Sequence, residues 1–136
     1  MYKDELNNWD VSYSAISFFE NALHANYTVD NFVRTKDIFF TITKNDMFEL
    51  TVVLVNRYTL GLADIFKAQQ EFGKFDCIVT SGEWNGYTPE AKEWGLKNKK
   101  GVFIPSEFFA AISEEYFWNF AKRDKHGKPV YKYRVE

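Results

Sequence analysis

With 136 residues, 46% of them hydrophobic and 19% aromatic, the chain can bury a real core in one domain, which excludes an intrinsically disordered body. Cys77 is the only cysteine and His24 and His126 are the only histidines, so an internal disulfide, a cysteine-based metal cage and a zinc site made of the two histidines alone are excluded. The net charge of −2 is unevenly spread: residues 1–94 carry eight Lys and Arg against fourteen Asp and Glu, and residues 95–136 carry nine against five.

No apolar run approaches the roughly eighteen residues of a membrane span. The start, MYKDELNNWD, is polar and acidic where a secretory signal would be basic and then apolar. The expectation is a soluble, cytoplasmic protein with no membrane partner. Without repeats, low-complexity tracts or a Pro/Gly/Ser linker, residues 1–136 read as a single domain with a basic C-terminal extension over about 122–136.

VSYSAISFFENALHA (11–25) puts Ile16, Phe19, Ala22 and Leu23 on one stripe at three-and-four spacing, which predicts a first helix with Asp10 as its N-cap. An extended piece over 27–34 follows. DIFFTIT (37–43) and 48–55 are β-branched and aromatic around the turn residues Lys44-Asn45-Asp46, so they predict a β-hairpin. Thr59 and Asp64 bracket the start of a helix with Leu62, Ile65, Phe66, Gln69 and Phe72 on one face and Gly73 just past its end.

Asp76–Thr80 is nearly all apolar, as suits a strand covered on both faces. Thr88 and Pro89 are an N-cap and a first helical residue, with Gly95 near that helix's end, and Gly101–Ile104 is a further short strand. Pro105-Ser106 opens a last helix over 107 to about 122. A turn at His126-Gly127 leads to a strand over 130–134. Alternating elements after an initial hairpin predict an α/β domain with a mixed central sheet and helices on both faces.

Three stretches carry a resemblance to a known family. DIFFTITKNDMFELTVVLVNRYT resembles a hairpin in which an Asp opens one strand and a Glu-x-Lys closes the next. LGLADIFKAQQEF resembles the helix packed behind the active site, and DCIVTSGEWNGYTPEAKEWGLKNKKGVFIPSEFFAAI is similar to a late strand, loop, helix, short strand and terminal helix. Together they resemble the restriction endonuclease-like (PD-(D/E)XK) nuclease superfamily, over most of the chain. The resemblance implies an α-β-β-β-α-β core followed by α-β-α, and magnesium-assisted phosphodiester hydrolysis by clustered carboxylates with a nearby Lys.

Asp37 matches the family's Asp, but the Glu-x-Lys positions fall on Leu54-Val55-Asn56, or on Val55-Asn56-Arg57 one residue later. Either register lacks the second carboxylate, so the resemblance implies a degenerate member in a mobile-element or defence setting. Its vestigial candidates are Glu20, Asp37, Asn56 and Arg57, with Glu20 and Asp37 as the one pair able to hold a metal. For Asn56 and Arg57 two readings stand: a strand end meeting solvent, or contacts to a phosphate or partner.

The C-terminal segment KRDKHGKPVYKYR interleaves cations with Tyr131 and Tyr133, a pattern for phosphate contacts plus stacking. It makes Lys122, Arg123, Lys125, Lys128, Lys132 and Arg134 the candidate nucleic-acid contacts; the alternative is a solvated tail. Trp84 and Tyr87 are loop aromatics, suited either to recognition or to folding back over the core. Phe108, Phe109, Tyr116, Phe117, Trp118 and Phe120 exceed what one helical face can bury, which leaves some for an interface. No phosphate-binding glycine loop and no Ser/His/Asp pattern occurs.

Three functions follow. The leading one is a catalytically degenerate, cofactor-free protein binding nucleic acid or a nucleic-acid-handling protein. The second is a nuclease using Mg2+ at a rearranged Glu20 and Asp37 site. The third is a homodimeric interaction protein with an aromatic interface.

Overall fold

The structure, a computed structural model, describes residues 7–135. Helix α1 (Tyr13–Ala25) buries Ile16, Phe19 and Leu23, the stripe expected from the spacing. Its N-cap is Ser12, whose hydroxyl accepts from the Ala15 N–H at 3.1 Å. Asp10 is not the cap. It sits at φ +60°, outside the extended conformation a capping residue needs, and pairs with Arg57 instead.

Strands β1 (Val29–Thr35), β2 (Phe39–Lys44) and β3 (Glu49–Val55) form an antiparallel meander with Phe40 opposite Val52 across the hairpin. The hairpin turn lies at Lys44-Asn45-Asp46 and extends to Phe48, with Met47 at φ +73° and the Lys44 N–H donating to the Phe48 carbonyl. β2 alternates buried and half-buried residues. β3 is buried continuously from Val52, as suits a strand covered on both faces.

A two-residue strand β4 (Thr59–Leu60) and helix α2 (Leu62–Phe72) lead from β3 to β5 (Cys77–Thr80), which runs parallel to β3. Gly61 is the N-cap of α2 and the Asp64 carboxylate accepts from its N–H at 3.0 Å, the expected first-turn role of that acid; Thr59 lies in β4. Gly73 closes α2 at φ +80°. From β5 the chain passes through β6 (Gly86–Tyr87) and α3 (Pro89–Asn98) to β7 (Gly101–Phe103), parallel to β5.

The result is a mixed α/β fold with a five-stranded sheet in the order β1-β2-β3-β5-β7. Adjacent Phe39 and Phe40 point to opposite faces and so identify the layers. Phe40 meets Phe19 of α1 at 5.0 Å between ring centroids, and Phe19 meets Phe108 of α4 (Pro105–Ala111) at 5.6 Å. Phe39 stacks on Phe72 of α2 at 5.9 Å, and Phe66 of α2 meets Trp94 of α3 edge-on at 6.2 Å. Helices α1 and α4 therefore cover one face and α2 and α3 the other. Phe66, expected on the buried face of α2, instead stays partly exposed against Trp94.

Two expectations fail in the C-terminal third. The helix predicted over 107–122 ends at Ala111, and the chain continues through turns and a 3-10 turn at Phe117–Asn119. Rings at 116, 117, 118 and 120 cannot share one helical face; the irregular path half-buries Phe117, Trp118 and Phe120 and leaves Tyr116 exposed. The strand predicted over 130–134 is replaced by a small hairpin, β8 (Lys122–Arg123) paired with β9 (Pro129–Val130) around a turn at His126-Gly127. Beyond it the chain docks along β6, where Tyr133 bridges Tyr87.

Gly95 lies in the last turn of α3, near its end as expected, and Lys99 caps the helix at φ +61°. A Cβ at Gly95 would stand 2.6 Å from the Lys100 carbonyl oxygen and 2.8 Å from Val102 Cγ2, so the missing side chain is what lets α3 touch β7. Because one obstacle is backbone, Gly95→Ala is expected to cost about 1–3 kcal/mol in spite of alanine's better helix propensity, measured as a lower urea midpoint at unchanged m-value.

Candidate functional site

The carboxyl ends of β3 and β5 open onto a polar network. Thr80 is fully buried; its hydroxyl donates to the Arg57 carbonyl at 2.6 Å and accepts from the Arg57 N–H at 2.9 Å. The Asn85 side-chain amide donates to Asn56 Oδ1 and to Thr80 Oγ1, both at 3.1 Å, and to the Ser81 carbonyl. Asn56 in turn donates to the Asp10 carbonyl at 3.0 Å.

Arg57 joins this network through Nε and Nη1. Its guanidinium contacts Asp64 Oδ1 at 3.3 Å, Asp10 Oδ2 at 3.2 Å and the Asn56 carbonyl at 3.1 Å, and lies 4.7 Å from the Trp9 ring centroid. A side chain held on this many sides is a strut between β3, α2 and the segment before α1. Asn56 stays exposed at the rim.

Glu20 and Asp37 are brought together, with Arg34 between them. Arg34 Nε lies 2.8 Å from Glu20 Oε2 and Nη1 lies 3.2 Å from Asp37 Oδ1, while Asn7 donates to Asp37 Oδ2 at 2.8 Å. Asp37 does not open a strand: it occupies the β1–β2 turn at φ +70°. A divalent ion at this pair would have to displace a guanidinium that already satisfies both carboxylates. Among the described residues no group of three or more His, Cys, Asp and Glu side chains is arranged to hold a metal.

Beside the network lies a groove of about 480 Å³, lined by Ala15, Phe18 and Phe19 of α1, Leu54, Asn56, Pro105 and the loop 81–85. Leu54 and Asn56, the positions where the resemblance puts Glu-x-Lys, both line it. Phe18 and Trp84 stand at its edges 70% and 79% exposed. The two loop aromatics singled out by sequence therefore part company: Trp84 faces solvent and Tyr87 is fully buried.

The C-terminal cations gather around that loop. Lys132 Nζ donates to the Glu83 carbonyl at 2.7 Å, Arg134 donates to the Trp84 carbonyl at 2.6 Å and stacks over Tyr58, and Lys122 Nζ donates to Ser106 Oγ at 2.8 Å. Ser106 Oγ itself binds Glu83 Oε1 at 2.8 Å. Arg123, Lys125 and Lys128 are exposed on the β8–β9 hairpin. Residues 131–135 are thus not a solvated tail, because burial of Tyr87 gives them a surface to pair with; only the hairpin projects.

A buried polar cluster behind the loop escaped the sequence reading. Lys92, 1% exposed, donates to the Val102 carbonyl at 2.7 Å and lies within 4.4, 4.9 and 5.6 Å of the Phe103, Tyr87 and Tyr131 ring centroids. The buried Tyr87 hydroxyl donates to Glu107 Oε2 at 2.7 Å, and Glu107 Oε1 accepts from the Ile104 N–H at 3.0 Å. Two signals were available. Lys92 adjoins the small residues Ala91 and Gly95 on a helix that must sit close to the sheet, and Glu107 is the third helical residue after Ile104, where a carboxylate caps.

Burial lowers the Lys92 pKa to about 8, with the Glu107 carboxylate opposing the shift, and burial raises those of Tyr87 and Cys77. No protein-family model, curated protein or solved structure matches the chain.

Between pH 8 and 10.5 the folded state holds fewer protons on Lys92 than the unfolded state, so this lysine's contribution to stability rises with pH across that window. Tyr87 and Cys77 act in the opposite sense above their ordinary values, so Lys92 is isolated by comparison with Lys92→Met. From pH 7 to pH 10 the wild type is expected to gain roughly 2–3 kcal/mol relative to the variant in urea unfolding. A constant difference would refute the buried-lysine assignment.

Proposed function

We propose that this protein binds nucleic acid without cleaving it, on a restriction endonuclease-like scaffold whose active-site face has lost its chemistry. The scaffold assignment is supported by the sheet order, an antiparallel β1-β2-β3 meander continued by parallel β5 and β7 with α1 and α4 on one face and α2 and α3 on the other. Loss of hydrolysis is supported by apolar Leu54 and amide Asn56 in place of Glu and Lys, and by Arg34 lying between Glu20 and Asp37. Binding of this kind needs no magnesium.

The observation that carries the reading is the position of the basic segment. Lys132 and Arg134 grip the loop that walls the groove, Lys122 reaches the same loop through Ser106, and Arg123, Lys125 and Lys128 extend the positive charge outward. Cations in an open row beside a concave surface favour a polyanionic backbone as partner.

Fluorescence anisotropy with a labelled oligonucleotide tests this. Affinity is expected to fall steeply between about 50 and 200 mM salt, to be unchanged by EDTA, and to drop with a salt slope shallower by about one for each of Lys125→Glu and Lys128→Glu. Absence of binding at low salt sinks the proposal. Cleavage that requires magnesium or manganese and disappears in Asp37→Ala would move the protein back to the enzymes.

A further inference from the structure

We infer that the groove between α1 and the 81–85 loop receives unpaired bases, so that the nucleic acid recognised is single-stranded; this deepens the nucleic-acid reading above and rests on it. Phe18 and Trp84 are the reason. They lie on separate elements, α1 and the loop after β5, yet line one groove and are 70% and 79% exposed. Each could have been placed on the core, where a ring of this size is worth a large burial term. Both are instead presented where a flat apolar ligand can reach them.

The surroundings suit a base. Ala15, Phe19, Leu54 and Pro105 give the groove apolar walls, Asn56 and Ser81 give it a polar side, and the one charged lining residue, Glu83, has its carboxylate bound by the Ser106 N–H and hydroxyl. Its volume of about 480 Å³ lies in the range of sites that enclose small planar ligands. Phosphates have counter-charges at one rim, from Lys122, Lys132 and Arg134. In a duplex the base faces are already stacked on one another, and a recessed groove with projecting rings has nothing flat to engage. In a single strand every base offers a face to an aromatic ring, whatever the sequence.

The loop is built to hold this geometry. Asn85, 8% exposed, anchors it to Asn56, Thr80 and Ser81, and the Trp84 carbonyl is held by Arg134, so the indole is displayed from a fixed backbone. Replacing the indole leaves those backbone contacts intact.

The test compares the full-length chain with an oligodeoxythymidine and with a mixed-sequence duplex of equal length, at one low salt concentration. The single strand is expected to bind at least tenfold more tightly. Trp84→Ala and Phe18→Ala are each expected to weaken single-strand binding roughly tenfold, to leave duplex binding and thermal stability unchanged, and Trp84→Phe to restore most of the loss. Equal affinity for both forms, with no effect of either alanine variant, overturns the single-strand inference and leaves the nucleic-acid reading standing. Binding to neither form overturns both.

Discussion

The Tyr87 hydroxyl has no access to water, so its hydrogen bonds must come from the protein. It donates to Glu107 at 2.7 Å and accepts from the Lys132 N–H at 3.0 Å, while the Tyr87 main chain accepts from the Arg134 N–H at 2.8 Å and donates to the Lys132 carbonyl at 3.1 Å. Three parts of the fold are tied at this residue. Glu107 fixes the start of α4 through the Ile104 N–H, Lys92 of α3 lies over the Tyr87 ring, and the C-terminal segment is drawn in through a single β-bridge at Tyr133. A Cβ at Gly86 would overlap the Lys132 carbonyl and the Arg134 side chain, so the close docking depends on glycine there. The basic residues beside the groove are positioned by a buried phenol, not by their own charge.

The groove follows from the same constraint at its other end. Parallel strands β3 and β5 stop side by side, and the unpaired groups at their ends are collected by Thr80 and Asn85. Among the described residues no buried side-chain nitrogen or oxygen is left without a partner. With Asn85 turned inward, Glu83 and Trp84 are the loop side chains that face outward. An exposed indole and an exposed phenyl forgo burial worth about 1.5–3 kcal/mol for a ring the size of Phe. On the proposed reading, these two rings lie beside the carboxyl end of the parallel strands, where α/β proteins place ligands.

The first two-thirds of the fold was legible in the sequence because its residues obey one period at a time. Ile16, Phe19 and Leu23 repeat as a helix, the hairpin alternates around Lys44-Asn45-Asp46, and Cys77–Val79 is apolar throughout because both faces of that strand are covered. The C-terminal third misleads because its aromatics serve three purposes in one run. Phe108 belongs to the core, Phe117 and Phe120 to an irregular cover, and Tyr131 and Tyr133 to the docked C-terminal segment, so a single helical reading cannot accommodate them. Lys92 and Glu107 were hidden for a different reason. Charged residues are read as solvated unless something marks them, and here the marks are a neighbouring small-residue face and a capping position. Trp84 and Tyr87, three residues apart in one loop, have opposite fates that depend on where the C-terminal segment docks, a long-range contact with no local signature.

On the proposed nuclease-like reading, Arg34 explains how such a scaffold survives without its metal. Two carboxylates placed near one another repel unless a cation lies between them. A guanidinium at 2.8 Å from Glu20 and 3.2 Å from Asp37 supplies that charge from within the chain, and Asn7 occupies the remaining Asp37 oxygen. The substitute differs from a metal in one respect that matters. A hydrated divalent ion keeps open positions and lowers the pKa of a bound water, whereas a guanidinium has no coordination site and cannot generate hydroxide at neutral pH. On that reading, the electrostatic need of the acidic pair is met by a group that supplies no hydrolytic water. On the same reading, what remains at that end of the sheet is the neighbouring groove, where buried Leu54 and exposed Asn56 take the positions of the Glu and the Lys.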